Sequence, residues 1–392
     1  MNLIGRRSFL KAGAGLAAVA GPLAAFGQEP AGVQGVIWLW MDGGMSPSWT
    51  WDPKSDGKAK AIETPIGNIQ VSEYLKGCAS GMANLSIIRS LTHGLNDHGF
   101  ATWAMHSGRT VQSATEFPLI GSILAQELTD PKLALPASVT LDGPDLPEPA
   151  VFGDRVLPFR LTSLQNPIPN IRRNVDAARD RGRTALLLDQ NKDWGSLRKQ
   201  READRFTQGV EASEKLMNTT LLKAFSTADE PESLRAEYGA DFGEACLLAR
   251  RLIQAGCGFV EVGLKGWDTT VTKDLVPVLD RGLGTLVRDL AKKDLLRKTL
   301  VVCATAFGRS QVLGMAPWSR GFSVVLAGGA LAGGRVYGDT GEFGLGCKSP
   351  VEIPDFFATV YKACGIRSDK EYEYLGRKFK YLAKGKPIDD LF

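Results

Sequence analysis

The sharpest pattern in the chain is an unbroken apolar run, Gly35 to Met41, that stops at Asp42-Gly43-Gly44. Continuous burial without alternation predicts a strand covered on both faces, with the break at its carboxyl end. A second unit begins near Pro231, which suits a helix first turn. From Ala245 to Ile253, Leu247, Leu248, Leu252 and Ile253 share one helical face, and Gly256 and Gly258 end the helix. Phe259 to Val262 then reads as a strand leading to Trp267-Asp268-Thr269-Thr270, and Leu275 to Leu290 as another helix. Thr299 to Ala304 is a third strand, opening into Phe307-Gly308-Arg309-Ser310. Phe322 to Ala327 is a fourth, ending in Gly328-Gly329.

Strands alternating with helices predict an α/β fold: a mostly parallel central sheet with helices on both faces. Ligands in such sheets bind beyond the carboxyl ends of the strands. The loops after the first three strands therefore converge on one expected cleft. Residues 151–230 differ. Arg172 to Arg183 and Asn191 to Arg205 are dense in charge and show no strand pattern, so this stretch is expected to be a mainly helical insertion. The rest of 28–392 is expected to form one domain.

The N-terminus, residues 1–27, carries a different signal. Gly5-Arg6-Arg7-Ser8-Phe9-Leu10-Lys11 precedes a Gly/Ala-rich apolar run ending at Phe26. Arg6 and Arg7 followed by Phe-Leu-Lys resemble a twin-arginine export signal. The run is short for a membrane span of ~20 residues, and Ala25-Phe26-Gly27 suits cleavage; an uncleaved anchor is the alternative. The expected partner is the twin-arginine translocation machinery, and the expected location periplasmic or extracellular, reached already folded.

Composition narrows the classes further. Loss of Arg6, Arg7 and Lys11 with the leader reduces 47 basic residues to 44, against 43 acidic ones. That balance gives no reason to expect nucleic acid. The six cysteines include no Cys-x-x-Cys pair, so a zinc knuckle or a thioredoxin-type site is not expected. Cys246, Cys257 and Cys303 lie in apolar runs and read as buried thiols. Only His93, His98 and His106 are present, all in one short segment, which confines any imidazole chemistry to it.

Several motifs occur in a telling order: Asp42-Gly43-Gly44-Met45-Ser46, Trp51-Asp52-Pro53-Lys54, Ile88-Arg89-Ser90-Leu91-Thr92-His93, Trp267-Asp268-Thr269, Phe307-Gly308-Arg309 and Phe322 to Gly329. With the leader, they resemble an exported bacterial family catalogued as domain of unknown function fifteen-oh-one. That family is similar to the alkaline-phosphatase and sulfatase superfamily. The resemblance implies metal-assisted cleavage of phosphate or sulfate esters. It also implies ligand-bearing motifs: Gly-Gly-Pro-Ser-His-x-Asp, Trp-Asp-x-His, Gly-Glu-Phe-Gly-Arg-Thr and Gly-Arg-Asp-His-Trp.

The chain departs from those motifs where they bear ligands. Pro47 and Trp49 stand for the expected His and Asp, Thr270 for His, Ala306 for Glu, and Ala316-Pro317 for Asp-His. None is a good metal ligand. The candidates that survive are Asp42, Ser46, His93, His98, Asp268 and Arg309. Each has a plainer role available: a turn for Ser46, bracing of Gly43-Gly44 for Asp42, a carboxylate partner rather than an anion for Arg309, and local hydrogen bonding for the histidines. The expectation is a scaffold that has lost its metal site, holds no cofactor and works by binding or assembly. The alternative is an active phosphoric- or sulfuric-ester hydrolase with a reduced site around a divalent metal.

Overall fold

The computed structural model describes residues 32–54, 59–110, 117–161, 163–197, 200–268, 272–310, 313–341 and 346–392. The leader and Thr270 lie outside the described residues. The central sheet is built on strands β1 (Gly35–Met41), β2 (Leu85–Thr92), β3 (Ser138–Leu141), β4 (Phe159–Leu161), β5 (Phe259–Leu264) and β6 (Thr299–Thr305). A hairpin, β7 (Gly308–Ser310) with β8 (Ala316–Trp318), follows β6. Then come β9 (Phe322–Gly328), β10 (Arg335–Tyr337) and β11 (Val351–Glu352). The spatial order is β10-β2-β9-β6-β1-β5-β3-β4, with β11 also on β2.

Every pairing in this sheet is parallel except those of β9 with β2 and β6. The exception has a local cause. Only the short hairpin separates the end of β6 from Phe322, so no helix carries the chain back across the sheet. A strand entered without a crossover must run antiparallel. β4 corrects the expectation of no strand within 151–230. Its three residues, Phe-Arg-Leu behind Pro158, are too few to show a period, yet they close one edge of the sheet.

The seven residues of β1 are all buried, and their side chains alternate between two cores. Ile37, Leu39 and Met41 face one cluster, which includes Leu247, Leu248, Leu279 and Leu286. Val36, Trp38 and Trp40 face the other, with Ala104, Met105, Ile123 and Phe357. The first cluster is supplied by helices α6 (Phe242–Gln254) and α7 (Thr272–Lys292). The second is supplied by α1 (His98–Ser107), α2 (Ile120–Leu128) and α8 (Ile353–Ala363). The long helices α3 (Ala177–Leu197) and α4 (Gln200–Asn218) pair with each other, and α5 (Glu232–Tyr238) leads back to α6. All six cysteines are free thiols, and Cys246, Cys257 and Cys303 are buried as the apolar pattern predicts. No helix among the described residues is long and apolar enough to cross a membrane.

Candidate functional site

The carboxyl ends of β1, β5 and β6 do converge, together with that of β2. Asp42 ties the first two loops together: its N–H donates to the Leu264 carbonyl (3.0 Å), and its own carbonyl accepts from Trp267 N–H (3.1 Å). Its Oδ1 accepts from the Trp40 indole at 3.3 Å. The turn that follows needs glycine. Gly43 sits at φ +111°, where a Cβ would stand 2.5 Å from the Asp268 amide nitrogen. Gly44 sits at φ +101°, where a Cβ would meet the Phe307 ring at 2.8 Å. Asp268 itself is exposed.

Arg309 is the centre of the arrangement and is only 8% exposed. Its Nε donates to the Gly43 carbonyl at 2.9 Å, and Nη2 donates to the same oxygen. Nη1 donates to the Met315 carbonyl at 3.2 Å, and Nη2 reaches His98 Nε2 at 3.4 Å. Arg309 therefore spends its donors on backbone oxygens, rather than on a carboxylate or an open anion pocket. Burial lowers its pKa, and the nearby Asp268 carboxylate works in the opposite direction. A guanidinium stays charged at physiological pH, so this cleft carries a fixed cation. His98 is exposed, and its ring stands edge-on to Phe307.

His93 is held by backbone on both ring nitrogens. Nδ1 accepts from Leu95 N–H (3.0 Å), so Nε2 carries the proton and donates to the Ala306 carbonyl (2.7 Å). Burial lowers its pKa, against the Ala306 hydrogen bond, which raises it. A metal needs a free imidazole lone pair, and His93 has none to offer. Ser46 is fully buried; its hydroxyl donates to the Arg309 carbonyl at 3.4 Å and lies 3.3 Å from the Ser48 hydroxyl.

The described positions where the resemblance implies ligands, Pro47, Trp49, Ala306, Ala316 and Pro317, hold structural side chains. Pro47 opens a 3-10 turn, Pro47–Trp49, closed by Thr50 N–H on the Pro47 carbonyl at 3.0 Å. Trp49 packs on Tyr74, with ring centroids 5.9 Å apart. Ala306 is wholly buried. Ala316 and Pro317 lie in the β7–β8 ladder, Pro317 directly opposite Arg309. Among the described residues, no group of three His, Cys, Asp or Glu side chains converges as a metal site requires. Pro47, Trp49, Ala306, Ala316 and Pro317 bring no ligand side chain to the strand ends.

A profile of a family described as a protein of unknown function (DUF1501) matches residues 33–392. The chain belongs to that family. No curated protein matches it. Among solved structures, the chain is similar to the PsFucS1 sulfatase from Pseudoalteromonas sp., with 12% identity and a TM-score of 0.45 over 92% of this chain and 72% of that one. It is also similar to a phosphonate monoester hydrolase from Silicibacter pomeroyi, with 13% identity and a TM-score of 0.36 over 91% and 78%. A magnesium-bound TAB5 alkaline phosphatase variant gives 12% identity and a TM-score of 0.38 over 86% and 99%.

One polar cluster escaped sequence reasoning. His106, in the last turn of α1, is buried against the sheet. Its Nδ1 donates to the Thr102 carbonyl (2.7 Å), Nε2 contacts Glu261 Oε1 (2.8 Å), and its ring meets the Trp40 ring with centroids 4.4 Å apart. Thr140 donates to the other Glu261 oxygen at 3.3 Å. The only signal in the sequence was a Glu inside an apolar strand, which called for a buried partner. Nearby, burial raises the Glu148 carboxyl to about 7, against the lowering effects of Ser122, the Leu119 amide and the charge of His106.

The folded protein thus holds a proton on Glu148 that the unfolded chain releases near 4.5. Stability from this group is present below pH 4.5 and falls as pH rises through about 7. Glu148→Gln is therefore expected to leave stability unchanged near pH 4 and to raise it at pH 8 by up to ~3 kcal/mol. Urea unfolding at the two pH values checks this; equal effects at both would contradict it.

Proposed function

We propose that this chain keeps a sulfatase/alkaline-phosphatase-like α/β scaffold without metal-dependent ester chemistry, and acts as a binding or assembly protein outside the cytoplasm. The observation that carries the reading is Arg309. A buried guanidinium bound to the Gly43 and Met315 carbonyls puts a permanent cation among the loops where the resemblance calls for metal ligands. The guanidinium offsets the Asp42 and Asp268 carboxylates in these loops, and among the described residues no three His, Cys, Asp or Glu side chains come together as a divalent cation needs. The buried Ser46 hydroxyl supports the same conclusion, because a nucleophile must reach its substrate. The twin-arginine leader supports export in the folded state.

Turnover tests the reading. The mature chain, supplied in turn with magnesium, calcium, manganese and zinc, is expected to cleave neither aryl phosphates nor aryl sulfates above background. Turnover that disappears in Asp268→Ala or Asp42→Ala would overturn it and favour a reduced hydrolase site.

A further inference from the structure

Helix α3 has two separate uncharged faces, of which the exposed one is apolar. Thr184, Leu188, Asn191 and Gly195 form the covered one. There Asn191 Nδ2 donates to the Ala203 carbonyl of α4 at 2.7 Å, and a Cβ on Gly195 would stand 2.6 Å from the Ala203 methyl. About 120° round the helix lies the second face. It carries Leu186 (59% exposed), Leu187 (43%), Trp194 (41%) and Leu197 (82%). Arg179 and Arg183 continue the same face toward the N-terminus, and both are exposed. Five of the nine exposed large hydrophobic side chains among the described residues lie on α3 and α4, so the apolar exposure is concentrated, not scattered.

Within α3 four Lys and Arg stand against three Asp and Glu, and of these only Arg179 and Arg183 lie on the exposed apolar arc. Leucine and tryptophan on one arc with cations beside them suit a helix lying flat in a lipid interface. The apolar side chains sit at the acyl boundary and the guanidinium groups on headgroup phosphates. We propose that this face of α3 docks the protein onto an anionic phospholipid surface. The proposal does not depend on whether the strand-end cleft turns over esters.

Vesicle sedimentation of the mature chain tests it. Binding is expected to vesicles of phosphatidylcholine containing phosphatidylglycerol, to fall sharply with pure phosphatidylcholine, and to be released by salt. Arg179→Glu with Arg183→Glu should weaken it roughly thirty-fold or more. Trp194→Asp with Leu197→Asp should weaken it at least ~ten-fold. All four side chains are exposed, so circular dichroism should show the variants folded. Three results would each overturn the proposal: no binding to either vesicle, equal binding to both, or binding that survives the Trp194 and Leu197 changes. Concentration-dependent self-association removed by the same changes, without lipid binding, would assign the face to a second copy instead.

Discussion

Arg250→Ala is expected to cost about 3–5 kcal/mol, among the largest effects of any single substitution in this protein. Arg250 is 2% exposed and ties three helical segments together. Its Nε lies 3.0 Å from Asp289 Oδ2 on α7, its Nη2 2.8 Å from Glu230 Oε2 just before α5, and its Nη1 donates to Gln254 at 3.0 Å. Tyr238 donates to the same Asp289 oxygen at 3.0 Å. Removing the guanidinium leaves the buried Asp289 without its main counter-charge and the half-buried Glu230 with Arg251 alone. Burial alone would raise the pKa of Glu230; hydrogen bonds and charge from Arg250 and Arg251 overcome it and hold the group at about 2.

The sign of the pH dependence follows. A depressed carboxylate contributes stability that is present above 4.5 and is lost as pH falls through about 2. In Arg250→Ala that dependence should flatten, because much of the depression is gone. The urea midpoint at pH 7 should drop with an unchanged slope, and the loss should be smaller at pH 3. Loss of similar size at both values would mean that packing of the Arg250 stem, not charge, holds the helices.

Gly43→Ala is expected to lose ~2–4 kcal/mol, from a positive φ at a non-glycine residue and from overpacking. The added methyl would stand 2.5 Å from the Asp268 amide and 3.1 Å from the Trp267 carbonyl carbon, so backbone, not a side chain, must move. The movement would pull the Gly43 carbonyl away from Arg309 and loosen the three loops together. Gly44→Ala should cost a comparable amount, since the buried Phe307 ring and the hydrogen-bonded Arg309 Nε both stand 2.8 Å from its Cβ and its φ is +101°. Gly67→Ala, with nothing within 4 Å of its Cβ, is the control and should change stability little. Thermal unfolding of the three variants checks the ranking. Gly43→Ala behaving like Gly67→Ala would remove the loop-packing account.

The legible parts of the fold were those written in long periodic segments. β1, β5, β6 and β9, and helices α6 and α7, lie close to where burial runs and helical spacing put them. What sequence reasoning missed was short or set by partners distant in the chain. β4 has three residues, and β2 entered the reading only as a motif. The reversed direction of β9 depended on noticing that no helix precedes it. The strand-end loops were expected to gather the candidate residues, and they do. Their chemistry was not legible, because a motif cannot say that Arg309 turns back onto Gly43 or that His93 is held by Leu95 and Ala306. The His106–Glu261 pair was hidden for the same reason, its members lying 155 positions apart.

Arg309 and the surrounding loops are proposed to exclude a divalent metal, and the metal content of protein recovered from its native export route tests this most directly. Elemental analysis is expected to find each divalent metal well below one per chain, unchanged in Asp42→Ala and Asp268→Ala. One bound divalent metal per chain, lost in either variant, would contradict the account.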